Sequence, residues 1–243
     1  MFAYINGKLA DKANNYVVID TDVVFGNAKA NNKYEEELQD DGINLIAGVD
    51  EAGRGPIAGP VVIAACILPT SYRIAGLNDS KQLSKKKREE LYKEIIKYAV
   101  AYKIIFVSAE EIDNSNIYSV TQEAMKEALL GLSVKPEYAL IDFMPIKDIC
   151  IPTKSITHGD ALSASIAAAS ILAKVTRDEY MGKMDLKYSN YGFKHNMGYC
   201  TKMHMEALEK YGPCAIHRKS FYPVTKYFNE TEQLSFELFD DEK

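Results

Sequence analysis

The sequence predicts an α/β fold in which helices flank a sheet. Short β-branched, apolar runs alternate along residues 44–228 with longer segments whose apolar residues recur at helical spacing. At 243 residues, 47% of them hydrophobic, the chain is long enough to bury one sizeable core. We therefore expect a main domain over 44–228, an N-terminal extension over 1–43 and an acidic flexible tail over 229–243.

The first two core strands, at 45–49 and 61–68, enclose a turn-prone loop that carries Asp50, Glu51 and the sequence Gly53-Arg54-Gly55. Because side chains alternate along a strand, the two adjacent acids cannot both face the core. An ordinary acidic hairpin tip is one interpretation of this pair. The glycines favour a functional loop, since they leave the backbone open to close approach by a ligand.

Helices and strands continue this alternation. Ser84 is predicted to cap a helix with Leu91 and Ile95 on one face, and a strand follows at 103–107. Asn116 is predicted to cap a second helix that ends near residue 130.

Acidic residues recur where later elements end. A strand at 138–141 leads to Asp142, and a glycine turn presents Asp160. The Ala-, Ser- and Ile-rich stretch 161–175 suits a helix packed closely against a sheet, and 203–211 is a further predicted helix.

Two groups of basic residues are candidates for phosphate contact. Lys81 lies in the loop before the Ser84 helix, whereas the basic residues within that helix are typical of a solvated face. The basic-aromatic segment His217-Arg218-Lys219-Ser220-Phe221 is predicted to meet a phosphate backbone.

The formal net charge of −5 hides an uneven distribution. Residues 1–43 carry 4 basic and 8 acidic side chains, and 229–243 carry 1 and 6, which leaves 24 basic and 20 acidic in the middle. This middle part, of net charge +4, suits a nucleic-acid partner, and more so if several of its acids bind metal ions.

The segments 3–5 and 16–19 are β-rich and predict a small hairpin, and 27–42 is typical of a solvated acidic linker. No apolar run reaches the roughly 18–20 residues that span a bilayer, and no signal-peptide pattern is present, so we expect no membrane association. The four cysteines are far apart without a Cys-x-x-Cys pair, which favours reduced thiols and a cytoplasmic location.

The acids Asp50, Glu51, Asp142 and Asp160 all lie at strand ends or turns. If they converge, they repel one another and shift each other's pKa unless divalent cations neutralise them. Oxygen ligands without a His/Cys cluster favour Mg²⁺ or Mn²⁺ over zinc, and two such ions stabilise the attacking and leaving oxygens of a phosphodiester. Spacing alone does not show that the four acids meet.

Six motifs occur in an order and at a spacing that resemble one family. They are Asp50-Glu51-Ala52-Gly53-Arg54-Gly55-Pro56, Asp79-Ser80-Lys81, Ile141-Asp142, Gly159-Asp160, the run at 168–178 and Gly198-Tyr199. Over about residues 44–226 the chain resembles bacterial ribonuclease HII, a type 2 ribonuclease H. The resemblance implies an RNase H-like fold: a mixed five-stranded sheet flanked by helices, with a helical C-terminal part. The short N-terminal β extension precedes the part of the chain that the resemblance covers.

The resemblance also implies an activity. A monomeric endoribonuclease of this family hydrolyses the RNA strand of RNA–DNA hybrids and incises at single ribonucleotides embedded in duplex DNA, as in ribonucleotide excision repair. It leaves 5′-phosphate and 3′-hydroxyl ends. Asp50, Glu51, Asp142 and Asp160 map onto its catalytic, metal-binding acids.

Two further elements map onto substrate-reading groups of the family. The backbone of Gly53-Arg54-Gly55 corresponds to the loop that reads the 2′-hydroxyl, the group that separates RNA from DNA at a site. Tyr199 corresponds to the aromatic residue that stacks on the sugar after the ribonucleotide. Arg54 argues against the sister type HIII, in which lysine is usual at this position.

Three positions depart from the family pattern. Phe143 stands where glycine is common, His158 where lysine is common, and Asn196-Met197 where His-Lys is common. None removes a carboxylate. The last two remove positive charge near the site, so we expect weaker substrate affinity or altered salt dependence.

The acidic tail contains regularly placed apolar residues. The segment 233–239 of this tail resembles the short motif by which bacterial repair proteins dock on the replication sliding clamp. Its candidate contact residues are Gln233, Leu234, Phe236, Leu238 and Phe239. A frayed tail without a partner is the alternative interpretation.

Two other functions are each favoured by one feature of the sequence. A junction resolvase of the same fold is favoured only by the first 20 or so residues, which resemble the opening strands of the OB-fold in a Holliday-junction-binding subunit. A nucleotide-binding loop at Gly53-x-Gly55-x-x-x-Gly59 has the wrong glycine spacing, and Pro56 removes an N–H donor that such a loop needs.

Overall fold

The computed structural model describes residues 8–13, 16–20, 32–70 and 83–228, the first two ranges as backbone only. The strands are β1 Lys8–Ala13, β2 Tyr16–Asp20, β3 Ile46–Ala52, β4 Val61–Ile67, β5 Ala101–Val107, β6 Tyr138–Asp142 and β7 Thr153–Ile156. The α-helices are α1 Lys33–Asp40, α2 Lys85–Tyr98, α3 Ala109–Asp113, α4 Ile117–Leu130, α5 Ala164–Lys187, α6 Phe193–Asn196 and α7 Lys202–Tyr211. Short 3-10 turns lie at Gly159–Ala161 and Ser189–Tyr191.

Strands β3 to β7 form one five-stranded sheet in the order β5-β4-β3-β6-β7. The pairs β3–β4 and β4–β5 are antiparallel, and β3–β6 and β6–β7 are parallel. The mixed five-stranded sheet flanked by helices, expected from the sequence, is confirmed. The parallel register pairs Val49 with Ile141, so the next residues, Asp50 and Asp142, lie at the same edge of neighbouring strands.

Strand β4, which lies between β5 and β3, is buried on both faces. Its odd-numbered residues pack in a cluster with α4, and its even-numbered residues pack in a cluster with α2 and α5. This alternation is the two-residue period of a strand between two helical layers.

Helix α5 approaches the sheet unusually closely. A Cβ atom at Gly48 on β3 would lie 1.9 Å from the backbone carbonyl carbon of Ser165, so only glycine fits there. The predicted helix over the stretch 161–175 begins later than expected, at Ala164, and residues 164–175 form the largely buried first half of this 24-residue helix. The close approach brings the start of α5 next to the strand that carries Asp50.

The predicted helix caps at Ser84 and Asn116 are confirmed. Their side chains accept hydrogen bonds from the N–H groups of Lys87 and Ser119. The short helix α3 was not predicted, because five residues are too few for a periodic pattern. It has a capping box in which Ser108 and Glu111 bond each other's backbone N–H groups.

The N-terminal region departs from the prediction in one respect. The antiparallel partner of β2 is β1 at Lys8–Ala13, and the predicted strand at 3–5 lies outside the described residues. The prediction of a solvated linker over 27–42 was wrong for Lys33–Asp40, which forms helix α1. Tyr34 and Leu38 on α1 pack against the sheet edge, and Glu35 is buried.

Two predicted binding segments lie outside the described residues: the loop that carries Lys81, and the tail with Gln233, Leu234, Phe236, Leu238 and Phe239. Among the described residues, no helix combines the length and apolarity of a membrane span.

Candidate active site

The acidic residues lie at one edge of the sheet. Asp50 and Glu51 lie on β3, Asp142 ends β6, and Asp160 lies in the 3-10 turn just before α5. The parallel β3–β6 register and the close packing of α5 bring these separate parts of the chain together.

Asp50 is a deeply buried acid of this group, with 5% of its surface exposed. Its Oδ1 accepts a hydrogen bond from the N–H of Glu51 at 2.7 Å, and the side chain of Ser170 on α5 also bonds it. Burial, and then the negative charges of Glu51 and Asp142, raise the pKa of Asp50 well above its usual value.

Glu51 is held by one arginine. Its Oε1 accepts a hydrogen bond from Nη1 of Arg54 at 3.3 Å. Burial raises the pKa of Glu51; the Arg54 cation opposes that rise and the charge of Asp142 adds to it. Its other oxygen, Oε2, is buried without a hydrogen-bond partner among the described residues.

Asp142 links the strand edge to the turn that carries the fourth acid. Its Oδ1 accepts a hydrogen bond from the N–H of Gly159 at 2.7 Å. The next residue is Asp160, which is 5% exposed. A Cβ atom at Gly159 would lie 2.5 Å from Cδ1 of Ile166 and 3.3 Å from Oδ1 of Asp142, so a side chain here would displace the Ile166 methyl group and crowd the carboxylate.

The charges within this cluster are only partly balanced by the protein. Asp50, Glu51 and Asp142 interact electrostatically, and Arg54 is the cation that the structure places on Glu51. Within 32–70 and 83–228, no three acidic, histidine or cysteine side chains are arranged to hold a metal ion as they stand. The residues nevertheless fit a hard cation chemically, because the donors are all oxygen and one buried carboxylate oxygen lacks a partner.

The glycine loop and Tyr199 lie beside each other. Gly53 has φ +99°, and a Cβ atom there would lie 2.1 Å from Nε of Arg177, so no other residue fits without rearrangement. Gly55 is exposed, and a Cβ atom on it would lie 3.7 Å from the Tyr199 ring. Tyr199 is 46% exposed, which leaves a face of the ring available to a ligand.

Three of the four residues that depart from the family pattern have a left-handed backbone conformation. Phe143, His158 and Met197 all have positive φ, at 55°, 57° and 51°. Asn196 is buried: its Oδ1 accepts from the N–H of Gly198, and its Nδ2 donates to the carbonyl of Tyr191. Asn196 is therefore a support for the Tyr199 loop, and its position is unsuited to a phosphate contact.

The prediction that the segment beginning at His217 meets a phosphate backbone was wrong for its first two residues. His217 is 3% exposed and Arg218 is fully buried. Nε2 of His217 lies 3.0 Å from Nε2 of His204, whose Nδ1 lies 2.8 Å from the carbonyl oxygen of Tyr199. These residues form a buried network behind the Tyr199 loop.

Sequence reasoning missed this network and the buried Arg177 on α5. A basic residue beside an aromatic one has the same local pattern on a surface and in a core. The difference depends on backbone carbonyl groups that come from distant parts of the chain. The residues 217–221 therefore contain no local pattern from which their burial could be predicted.

Comparison with known proteins identifies a family. The model of the family Ribonuclease HII matches residues 47–224. The chain is 53% identical over 192 residues to a ribonuclease HII of Bacillus mycoides, covering 79% of this chain and 74% of the relative.

Solved structures agree with this comparison. The crystal structure of ribonuclease H2 from Pyrococcus horikoshii has a TM-score of 0.66 and 30% identity, covering 77% of this chain and 98% of that one. A PCNA:RNase HII complex from Archaeoglobus fulgidus has a TM-score of 0.61 and 27% identity, covering 73% and 95%.

Proposed function

Because this chain belongs to the ribonuclease HII family of endoribonucleases, we propose that it hydrolyses RNA in RNA–DNA hybrids and incises at single ribonucleotides embedded in duplex DNA. The products carry 5′-phosphate and 3′-hydroxyl ends, as in the first step of ribonucleotide excision repair. The observation that supports this best is the meeting of Asp142, at the end of β6, with Asp50 and Glu51 on β3, the strand that leads into the glycine loop.

The proposed chemistry uses the four carboxylates as a cation site. Asp50, Glu51, Asp142 and Asp160 would hold two divalent ions, Mg²⁺ or Mn²⁺, whose role is Lewis-acid activation of both the attacking water and the leaving 3′-oxygen. Within the chain, the Arg54 guanidinium orients Glu51, and the N–H of Gly159 orients Asp142. The buried setting strengthens these electrostatic interactions by excluding water.

The proposed substrate reading uses Gly53-Arg54-Gly55 for the 2′-hydroxyl and Tyr199 for the sugar that follows. Their adjacency supports this, because the two groups would contact neighbouring nucleotides of one strand. Lys81 is proposed to contact a substrate phosphate, in keeping with the positive net charge of the middle part of the chain.

Further proposals concern partners and location. The segment 233–239 is proposed to dock on a sliding clamp, and the Archaeoglobus fulgidus relative solved in complex with PCNA supports this. We propose that the chain acts as a monomer. The cysteines at 66, 150, 200 and 214 are all free thiols, which supports a reducing, cytoplasmic location.

The direct test is incision of a panel of labelled substrates with Mg²⁺ or Mn²⁺. We expect cutting of an RNA–DNA hybrid and of a duplex with one ribonucleotide, with 5′-phosphate ends, and no cutting of all-DNA duplex. Cutting of a DNA four-way junction without cutting of the ribonucleotide duplex would instead support the junction-resolvase alternative.

A further inference from the structure

Two buried arginines hold the backbone of the glycine loop from below. Arg218 donates to the carbonyl oxygens of Gly53 at 2.6 Å, Arg54 at 2.9 Å and Gly59 at 3.0 Å. Arg177 donates to the carbonyls of Pro60 at 2.9 Å and Ala58 at 3.2 Å. Both guanidinium groups are almost fully buried, so these carbonyls point into the protein.

The direction of the carbonyls fixes the direction of the neighbouring N–H groups. In a trans peptide the C=O of one residue and the N–H of the next point to opposite sides. Because Arg218 takes the carbonyls of Gly53 and Arg54, the N–H groups of Arg54 and Gly55 point away from the buried guanidinium. Neither N–H donates to another group within the described parts of the chain.

The three contacts of Arg218 depend on the shape of arginine. A guanidinium is a planar fork with five N–H donors, whereas a lysine ammonium is a point-like group that cannot span three separated carbonyls. The fork is also fixed in place: its carbon lies 4.9 Å from the centre of the Phe221 ring. The turn after Arg218 is anchored as well, because Asp113 accepts from the N–H groups of Lys219 and Ser220.

We propose that Arg218 is the positioning residue that turns the Arg54 and Gly55 amides outward to bind the ribonucleotide 2′-hydroxyl. Arg218 itself does not reach the substrate. It sets the specificity for RNA over DNA at one nucleotide by holding two carbonyls inward. This inference rests on the proposed function, and it assigns to one buried side chain the geometry on which that function depends.

The inference is tested by binding without cleavage. Two labelled duplexes of the same sequence, one all-DNA and one with a single ribonucleotide, are titrated in EDTA, and the ratio of their Kd values is measured by fluorescence anisotropy. For the wild-type protein we expect about tenfold tighter binding of the ribonucleotide duplex, the contribution of one or two neutral hydrogen bonds. For Arg218→Lys we expect a ratio near one, with the all-DNA Kd within about twofold of wild type.

Arg177→Lys is the matched control. It also replaces a buried guanidinium by an ammonium group, but Arg177 donates to the carbonyls of Pro60 and Ala58 and not to those of Gly53 and Arg54. We expect a lowered Tm for both variants and a retained ribonucleotide preference for Arg177→Lys. Asp113→Asn is a milder second variant, which weakens the anchor of the turn and should reduce the preference by about two- to threefold.

The outcomes separate this inference from the proposed function. A folded Arg218→Lys or Asp113→Asn protein with full ribonucleotide preference overturns the role of Arg218. Equal loss of preference in the Arg177 and Arg218 variants also overturns it, because both would then act through general loop stability. A wild-type protein that neither prefers nor cuts the ribonucleotide duplex overturns the proposed function itself.

Discussion

At the scale of single residues, Phe143 lies directly after Asp142 in a left-handed backbone conformation. Its φ is 55°, and its side chain is 58% exposed, so the ring contributes little packing to offset the strained backbone. A non-glycine residue in this region costs roughly 1–2 kcal/mol relative to the right-handed conformation. The backbone at Phe143 is therefore strained, and it lies directly beside Asp142 of the acidic cluster.

We predict that Phe143→Gly raises the free energy of unfolding by up to about 1 kcal/mol. The relief of backbone strain stabilises the folded state, and the greater conformational entropy of glycine in the unfolded chain offsets part of that gain. The measurement is urea unfolding at pH 7. Phe143→Ala is the control: it removes the same ring but keeps the strained Cβ, so it should gain nothing. Equal stabilities of the glycine and alanine variants would show that the backbone at 143 is unstrained.

The buried histidine pair gives a second prediction at this scale. Burial, and then the charge of His204, lower the pKa of His217 to about 4. Its value in the unfolded chain is about 6.5, so the folded state binds the proton less well. Stability from this residue is therefore complete above pH 6.5 and is lost as pH falls from there towards 4.

We expect the free energy of unfolding of the wild type to fall between pH 7 and pH 5, with a contribution from His217 on the order of 1 kcal/mol over that interval. His217→Gln, which cannot titrate, should show a shallower decline, while His195→Gln, at an exposed position, should match the wild-type slope. Parallel slopes for the wild type and His217→Gln would contradict the neutral buried pair.

At the scale of elements, helix α1 supports the start of α5. Oε1 of Glu35 accepts hydrogen bonds from the hydroxyl of Ser163 at 2.5 Å and from the N–H of Ser165 at 2.9 Å. A carboxylate at the N-terminus of α5 accepts a hydrogen bond from an N–H group of the first turn that has no partner within the helix. Its negative charge also interacts favourably with the positive end of the helix dipole. The turn that carries Asp160 immediately precedes this start, so α1 supports the acidic cluster from a segment that precedes β3 in the chain.

We predict that Glu35→Ala lowers the free energy of unfolding by about 1.5–3 kcal/mol, the range for hydrogen bonds to a charged group. Glu37→Ala is the matched control on the same helix: its side chain is 55% exposed and forms only a 3.8 Å ion pair with Lys33. Its expected effect is under about 1 kcal/mol. Thermal unfolding of both variants measures the difference, and equal effects would show that the α1–α5 contact contributes little.

At the scale of the whole molecule, the fold could be predicted further than the site. The strands at 45–49, 61–68 and 138–141 and the caps at Ser84 and Asn116 follow from local patterns, because hydrophobic period and capping chemistry act over a few residues. Helix α1 was missed because acidic side chains dominate its eight residues and its apolar face consists mainly of Tyr34 and Leu38, which is too short a pattern to recognise, and because Glu35 contacts the distant start of α5.

The convergence of the acids could not follow from spacing. Asp50 and Asp142 are neighbours because β3 and β6 pair in parallel with Val49 opposite Ile141, a register that joins segments 92 residues apart. Family resemblance suggested this meeting in advance, and the register explains it physically. The burial of Arg218 depends in the same way on carbonyls from a distant loop.

The central claim is that the acids at this sheet edge form the cation site for incision beside a ribonucleotide. It is tested most directly by the single-turnover incision rate of Asp142→Asn on a duplex with one ribonucleotide, in Mg²⁺ and in Mn²⁺. Asp148→Asn, at an exposed acid of positive φ six residues further on, is the matched control. We predict a loss of about 100-fold or more for Asp142→Asn and a near wild-type rate for the control. A folded Asp142→Asn protein that cuts at the wild-type rate would contradict the claim.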